Sequence, residues 1–104
     1  MITVSVLYPN ADDLKFDMDY YLNRHMTLLS QRMGSALKGY IVDKGIAGAA
    51  AGSKATYHVI LRMKFESVDA FEKAFNPHAA EIVGDIPNYT NARPVIQIND
   101  PVVS

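Results

Sequence analysis

One histidine stands where it could take a proton. In Asp17-Met18-Asp19-Tyr20-Tyr21-Leu22-Asn23-Arg24-His25-Met26-Thr27-Leu28-Leu29, positions 18, 22, 25, 26 and 29 fall on one stripe of a 3.6-residue helix. His25 therefore shares a buried face with Met18, Leu22, Met26 and Leu29, and Tyr21 adjoins it one turn earlier. An imidazole in such a place needs a hydrogen-bond partner or a cavity that uses it. Two readings follow. His25 is a core histidine satisfied by a carbonyl or a tyrosine hydroxyl, or it is a general base or ligand donor at the bottom of an apolar pocket. In the second reading burial keeps the ring neutral near pH 7, suited to abstracting a proton from an acidic C–H or a phenol. Tyr21 would then orient the ring or bind a substrate oxygen.

The other chemistry-bearing side chains point less sharply. Tyr40, Tyr57 and Tyr89 are amphipathic and suit a pocket rim, or simply bond a buried carbonyl. His78 follows the Phe71, Phe75 spacing and could face inward, but Pro77 before it leaves a surface or cap role open. Strand alternation sends His58 to the side opposite Tyr57, with Arg62, where an interface contact is expected. No HxxxH or HExxH spacing occurs, so no metal site is expected. With no cysteine, thiolate catalysis, disulfides, zinc fingers and iron–sulfur clusters are excluded. Segment 45–54, Gly-Ile-Ala-Gly-Ala-Ala-Ala-Gly-Ser-Lys, lacks the ending of a phosphate loop and reads as a hairpin connection or, alternatively, a lid. A net charge of −1 with scattered basic residues argues against nucleic acid and anionic membranes as partners.

The elements that must position these residues are legible from the apolar pattern. Residues 2–7 alternate as a strand, and 9–13 break it. A helix over roughly 17–33, with Asp17 or Asp19 at its start, stops at Gly34. Strands follow over 37–47 and 57–65, the second with Tyr57, Val59, Leu61, Met63 and Phe65 on one face. Ser67 caps a helix whose stripe is Val68, Phe71, Phe75 and Ile82. Asn76-Pro77 breaks it and starts a short segment over 77–83, with Asn76 as cap. A turn over 85–89 leads to a last strand over 91–99, placed at a sheet edge by Pro94 within it. The order βαββαβ predicts a single α+β domain over 1–104, a ferredoxin-like antiparallel sheet with both helices on one face. Leu7, His58 and Ile60 make the other face too apolar for water, which predicts an obligate homodimer through that open sheet face. The first nine residues resemble no signal peptide and no segment has the length of a membrane span, so a cytoplasmic protein is expected.

Several stretches together resemble the EthD family, named for ethyl tert-butyl ether degradation. They are Val6-Leu7-Tyr8-Pro9, Phe16 with Asp19-Tyr20-Tyr21 and His25, Phe65-Glu66-Ser67 with Ala70-Phe71, and Asp85-Ile86-Pro87-Asn88-Tyr89-Thr90-Asn91 with Pro94 and Gln97. The resemblance spans nearly the whole chain and implies a dimeric α+β barrel with a pocket between helices and sheet. In that pocket His25 and Tyr21 would be catalytic. Met18, Leu22, Met26, Leu29, Phe71, Phe75, His78 and Tyr89 would line it for an apolar phenolic or carbonyl-bearing molecule, without a cofactor. The implied activity is a cofactor-independent, monooxygenase-like oxidation in catabolism. The alternatives are a non-catalytic ligand-binding dimer serving a degradation pathway, or a cyclase or isomerase of the same superfamily. The family usually carries proline two residues after the histidine. Thr27 stands there in this chain and predicts a straighter helix.

Overall fold

Alternation along β1 (Ile2–Pro9) sets the two sides of the molecule. Val4, Val6 and Tyr8 are buried, while Thr3, Ser5 and Leu7 face the other way. The computed structural model describes residues 1–103. In it β3 (Tyr57–Phe65) repeats the pattern, burying Val59, Leu61, Met63 and Phe65. The four strands pair antiparallel in the order β2-β3-β1-β4, with β2 (Gly39–Lys44) and β4 (Val95–Asn99) at the edges. Both edge strands are shorter than their patterns predict. Pro94 sits just ahead of β4 rather than within it, where its missing N–H breaks no ladder.

The first helix, α1, runs over residues 18–33 and changes type along its length. Asp17 caps it, its carboxylate accepting from the Tyr20 amide at 3.0 Å. Tyr21–His25 then forms a π-turn, in which the Met26 amide reaches back five residues to the Tyr21 carbonyl, before α-helix resumes over Met26–Met33. Thr27, where the family usually carries proline, donates to the Asn23 carbonyl at 2.9 Å. The wide turn absorbs about one extra residue relative to an α-helical turn, which rotates everything upstream of it. Tyr21 therefore enters the core in place of Leu22, which is 45% exposed.

The second helical segment starts as expected, Ser67 Oγ accepting from the Ala70 amide at 3.1 Å. It comprises α2 (Val68–Phe75), a 3₁₀ turn around Pro77 (Asn76–His78) and α3 (Ala79–Gly84). The Asn76 side chain makes no cap bond. Phe71 and Ile82 pack with α1 onto the Val4, Val6 and Tyr8 side of the sheet. An isolated bridge, Phe16 to Thr90, and a 2.7 Å bond from the Asp17 amide to the Tyr89 carbonyl fasten the start of α1 beside the segment that follows α3. These two contacts, joining residues more than seventy positions apart in the chain, assemble the site described below.

The sheet face away from the helices is amphipathic rather than uniformly apolar. The strand register sets Asp43, Ile60, Leu7 and Val95 in one row across it. The next rows are Ile41, Arg62, Ser5, Gln97 and then Gly39, Lys64, Thr3, Asn99. His58 does not belong to this face. A register shift opposite Tyr8 and Pro9 lets the strand bulge there, and the His58 ring lies against Phe16, 5.3 Å between centroids. The 45–54 segment is a hairpin tip closed by Gly48 to Ser53 and Ser53 to Ala50 backbone bonds. Glycine is required at 45, where a Cβ would overlap the Tyr57 carbonyl.

Candidate functional site

The π-turn ends on His25, and Tyr21 and His25, four residues apart, are both buried on its inner face. The Tyr21 ring lies nearly parallel to the imidazole at 5.7 Å with 16° between planes, and Tyr89, 5.2 Å from Tyr21, meets the imidazole at 4.6 Å from the same side. Packed against both rings, the imidazole has one polar partner among the described residues, the part-buried carboxylate of Asp85, whose Oδ2 lies 3.0 Å from His25 Nδ1. Asp85 follows the C-terminus of α3 and precedes the 3₁₀ turn Ile86–Asn88. Its other oxygen accepts from the Tyr20 hydroxyl at 2.7 Å and from Asn88 Nδ2 at 2.9 Å. The aromatic pair Tyr20-Tyr21 thus divides its work. One ring supports the imidazole, and the other's hydroxyl fixes the carboxylate that orients it.

A carboxylate can only accept, so the neutral imidazole must carry its proton on Nδ1 and leave the lone pair of Nε2 free. Nε2 has no hydrogen-bond partner among the described residues, and His25 lines a cavity of about 40 Å³ between α1, α2, α3 and the sheet. At about 30 Å³ per water molecule, the cavity has room for little more than one, and it opens outward. Leu29, Met63, Phe71, Phe75 and Ile82 form much of its wall, with Phe71 and Phe75 stacked at 5.3 Å. Val83 and Ile96, both half-exposed, lie at its outer edge. Among the described residues Tyr8 is the only hydroxyl-bearing one in the lining, and no cationic side chain of theirs lines it.

Desolvation dominates the electrostatics. It pushes the His25 pKa below its ordinary 6.5, and the hydrogen bond and charge of Asp85 restore only part of the loss. Burial works to raise the Asp85 pKa, but hydrogen bonds from Asn88, Tyr20 and His25 outweigh it and hold the carboxyl below its ordinary value. At neutral pH the pair is an ionised carboxylate and a neutral imidazole. The shift has a consequence for stability. A folded-state pKa below the unfolded one means the unfolded chain binds the proton more readily. Stability therefore falls as pH drops from histidine's ordinary 6.5 through the lower folded value. The midpoint of urea unfolding is expected to decline over that range and to lose this slope in His25→Gln. An unchanged slope in the variant would place the titration elsewhere.

The structure separates the residues singled out from the sequence. His25, Leu29, Phe71 and Phe75 line the cavity. Tyr21, Met26 and Tyr89 are buried beside it but do not line it, and Met18 packs half-buried on the core. Leu22 is a correction, turned outward by the π-turn. So is His78, half-buried in the 3₁₀ turn and away from the cavity because Pro77 redirects the chain. No residue of 45–54 lines the cavity, so within one chain this segment is no lid over it. The carboxylate partner was absent from the sequence reading. Its one signal was the Asp85-Ile86-Pro87 turn, whose position against α1 depends on the βαββαβ topology rather than on any spacing. No group of three or more His, Asp or Glu side chains among the described residues is placed to hold a metal ion. No helix among them is long and apolar enough to cross a membrane.

Comparison with known proteins adds to this geometry. The model of the EthD domain matches residues 9–93. An EthD-like protein from Ralstonia eutropha is 42% identical, with a TM-score of 0.93 over 98% of this chain and 92% of that one. A protein of the ethyl tert-butyl ether degradation (EthD) family from Bacillus halodurans superposes with a TM-score of 0.66 at 14% identity, over 98% of this chain and 99% of that one. A dimeric ferredoxin-like protein of unknown function from Thermobifida fusca gives 0.58 at 20% identity, over 94% of this chain and 88% of that one. The last two likenesses bear on the fold alone. Among curated proteins none matches the chain.

Proposed function

The chain belongs to the EthD domain family, and we propose that it is an enzyme that abstracts a proton from a neutral, apolar, carbonyl-bearing or phenolic small molecule, with His25 as general base. The observation that carries this reading is the Asp85–His25 hydrogen bond on Nδ1, which leaves Nε2 basic, together with the place of His25 in the cavity lining. The carboxylate would satisfy a structural histidine as well, but a base also needs a free basic nitrogen and space beside the ring for a substrate, and the cavity supplies that space. Nε2 takes the proton, and the imidazolium that forms is stabilised by Asp85, which stays ionised because Tyr20 and Asn88 also bond it. The substrate is left as an enolate or phenolate. Its reprotonation, closure onto an internal carbonyl or reaction with dioxygen would make the protein an isomerase, a cyclase or a monooxygenase-like oxidoreductase. All three share this first step.

The lining supports an uncharged substrate, since no cation is present to match a carboxylate or phosphate. The small cavity admits only the reacting end of the molecule, with the larger body lying across Val83 and Ile96. Two copies pack through the open sheet face, a reading supported by its row of Ile60, Leu7 and Val95. The test needs no knowledge of the natural substrate. Solvent-deuterium exchange at the α-carbon of cyclopentanone, followed by NMR, is expected to be accelerated by the protein. His25→Ala should lose about 100-fold of that acceleration or more, the usual share of a general base. Equal exchange with both proteins would leave a ligand-binding dimer without catalysis as the better description.

A further inference from the structure

We propose that Tyr8 is the residue that receives the substrate's oxygen, as the donor end of a three-tyrosine cluster built against the base. The inference rests on the reading of His25 as a base and names the part of the site that reading leaves open. Sequence patterning points to Tyr21 or Tyr89 for this task, but neither lines the cavity, and Tyr8 does. The Tyr8 hydroxyl lies 2.8 Å from that of Tyr89, whose ring flanks the imidazole. The Tyr21 ring meets Tyr8 edge-on at 5.6 Å, and its fully buried hydroxyl has no hydrogen-bond partner among the described residues.

Proton counting shows what the cluster lacks. Three phenols carry three donor hydrogens, and even with the Tyr21 hydroxyl counted as directed at Tyr8 the contacts among them use at most two. A buried phenol proton without an acceptor is costly, so at least one of these groups is built for an acceptor that the chain does not supply. Burial raises the pKa of all three, so they stay protonated and act as donors at neutral pH. With no cation in the lining, such donors are what the site offers to a carbonyl oxygen gaining negative charge while His25 takes the proton. Tyr89 and Tyr21 are positioning residues in this scheme. Tyr8 alone touches the substrate.

The probe is p-nitrophenol, whose phenolate is yellow, titrated with the full chain at a pH where the free phenol is mostly protonated. On binding, its O–H proton passes to His25 Nε2 and its oxygen accepts from Tyr8. The wild type is expected to bind it with an enlarged phenolate fraction. Tyr8→Phe should weaken binding about tenfold or more, the cost of one hydrogen bond to a developing charge. Tyr89→Phe, which keeps the Tyr8 hydroxyl and removes its neighbour, should weaken binding by a smaller factor and serves should Tyr8→Phe not fold. Unchanged affinity and unchanged colour in both variants would overturn the role of Tyr8 while leaving His25 to the exchange assay. Binding that depends on Tyr8 without any gain of phenolate would uphold Tyr8 and count against His25 as base. Absence of binding to the wild type would overturn both.

Discussion

Replacing Asp85 with asparagine is expected to abolish proton abstraction while leaving the fold intact, with a loss of about 100-fold to 10,000-fold in the exchange rate. The argument turns on which nitrogen holds the proton. Asp85 accepts from His25 Nδ1 and thereby reserves the Nε2 lone pair for the cavity. An asparagine amide at the same place can present its N–H₂ to Nδ1 instead, since its oxygen is already drawn to the Tyr20 hydroxyl, a donor at 2.7 Å. The ring then carries its proton on Nε2, facing the cavity as a donor, and cannot act as a base. Two-bond nitrogen–proton correlations of the labelled histidine report the tautomer directly. The wild type should show Nδ1–H and the variant Nε2–H. Finding Nε2–H in the wild type would remove the basis for the assigned role, whatever the activity. Tyr20→Phe should produce a milder form of the same change, because Asn88 continues to hold the carboxylate.

The outcome for Asp85 also explains how far the sequence could be read. Strand alternation at Val4, Val6 and Tyr8, the Ser67 cap and the Pro77 break each reflect a local rule, and the βαββαβ sheet follows from their order. The burial of His25 was legible for the same reason. What failed was the register one turn upstream. A 3.6-residue stripe through 18, 22 and 25 assumes uniform helix, and the π-turn over Tyr21–His25 exchanges Leu22 for Tyr21. No residue in that turn announces the change, because the wide turn is stabilised by what Tyr21 packs against, namely Tyr8, Phe16 and Tyr89 from distant parts of the chain. Asp85 was hidden likewise. Its partner lies 60 residues away, and only the docking of the segment after α3 against the start of α1 brings them together. His58 shows the same limit in the sheet, where one bulge overturns a face assignment made by counting in twos.

A Leu7→Asp variant is expected to be a folded monomer. Leu7 sits on β1, an interior strand of the sheet, within the row Asp43, Ile60, Leu7, Val95. In the isolated chain Leu7 and Ile60 are half-buried between their strand neighbours and Asp43 and Val95 at the ends of the row are exposed. A carboxylate at position 7 therefore meets water in the monomer and costs the fold little. Between two packed sheets it would be desolvated with Ile60 and Val95 as neighbours. Two-fold symmetry would place a second such charge on the partner, adding like-charge repulsion to the penalty. The combined cost is several kcal/mol, enough to weaken self-association by about a thousandfold. Sedimentation across a concentration series separates the cases. A dimer that dissociates in the variant, with circular dichroism unchanged, locates the interface on this face, and a dimer of unaltered affinity moves it to another surface. The consequence extends to the cavity. Ile96, at the cavity's outer edge, is adjacent in β4 to Val95 on the open face. A partner packed over Val95 would stiffen the strand that borders the cavity, so ligand affinity should fall together with dimer content rather than independently of it.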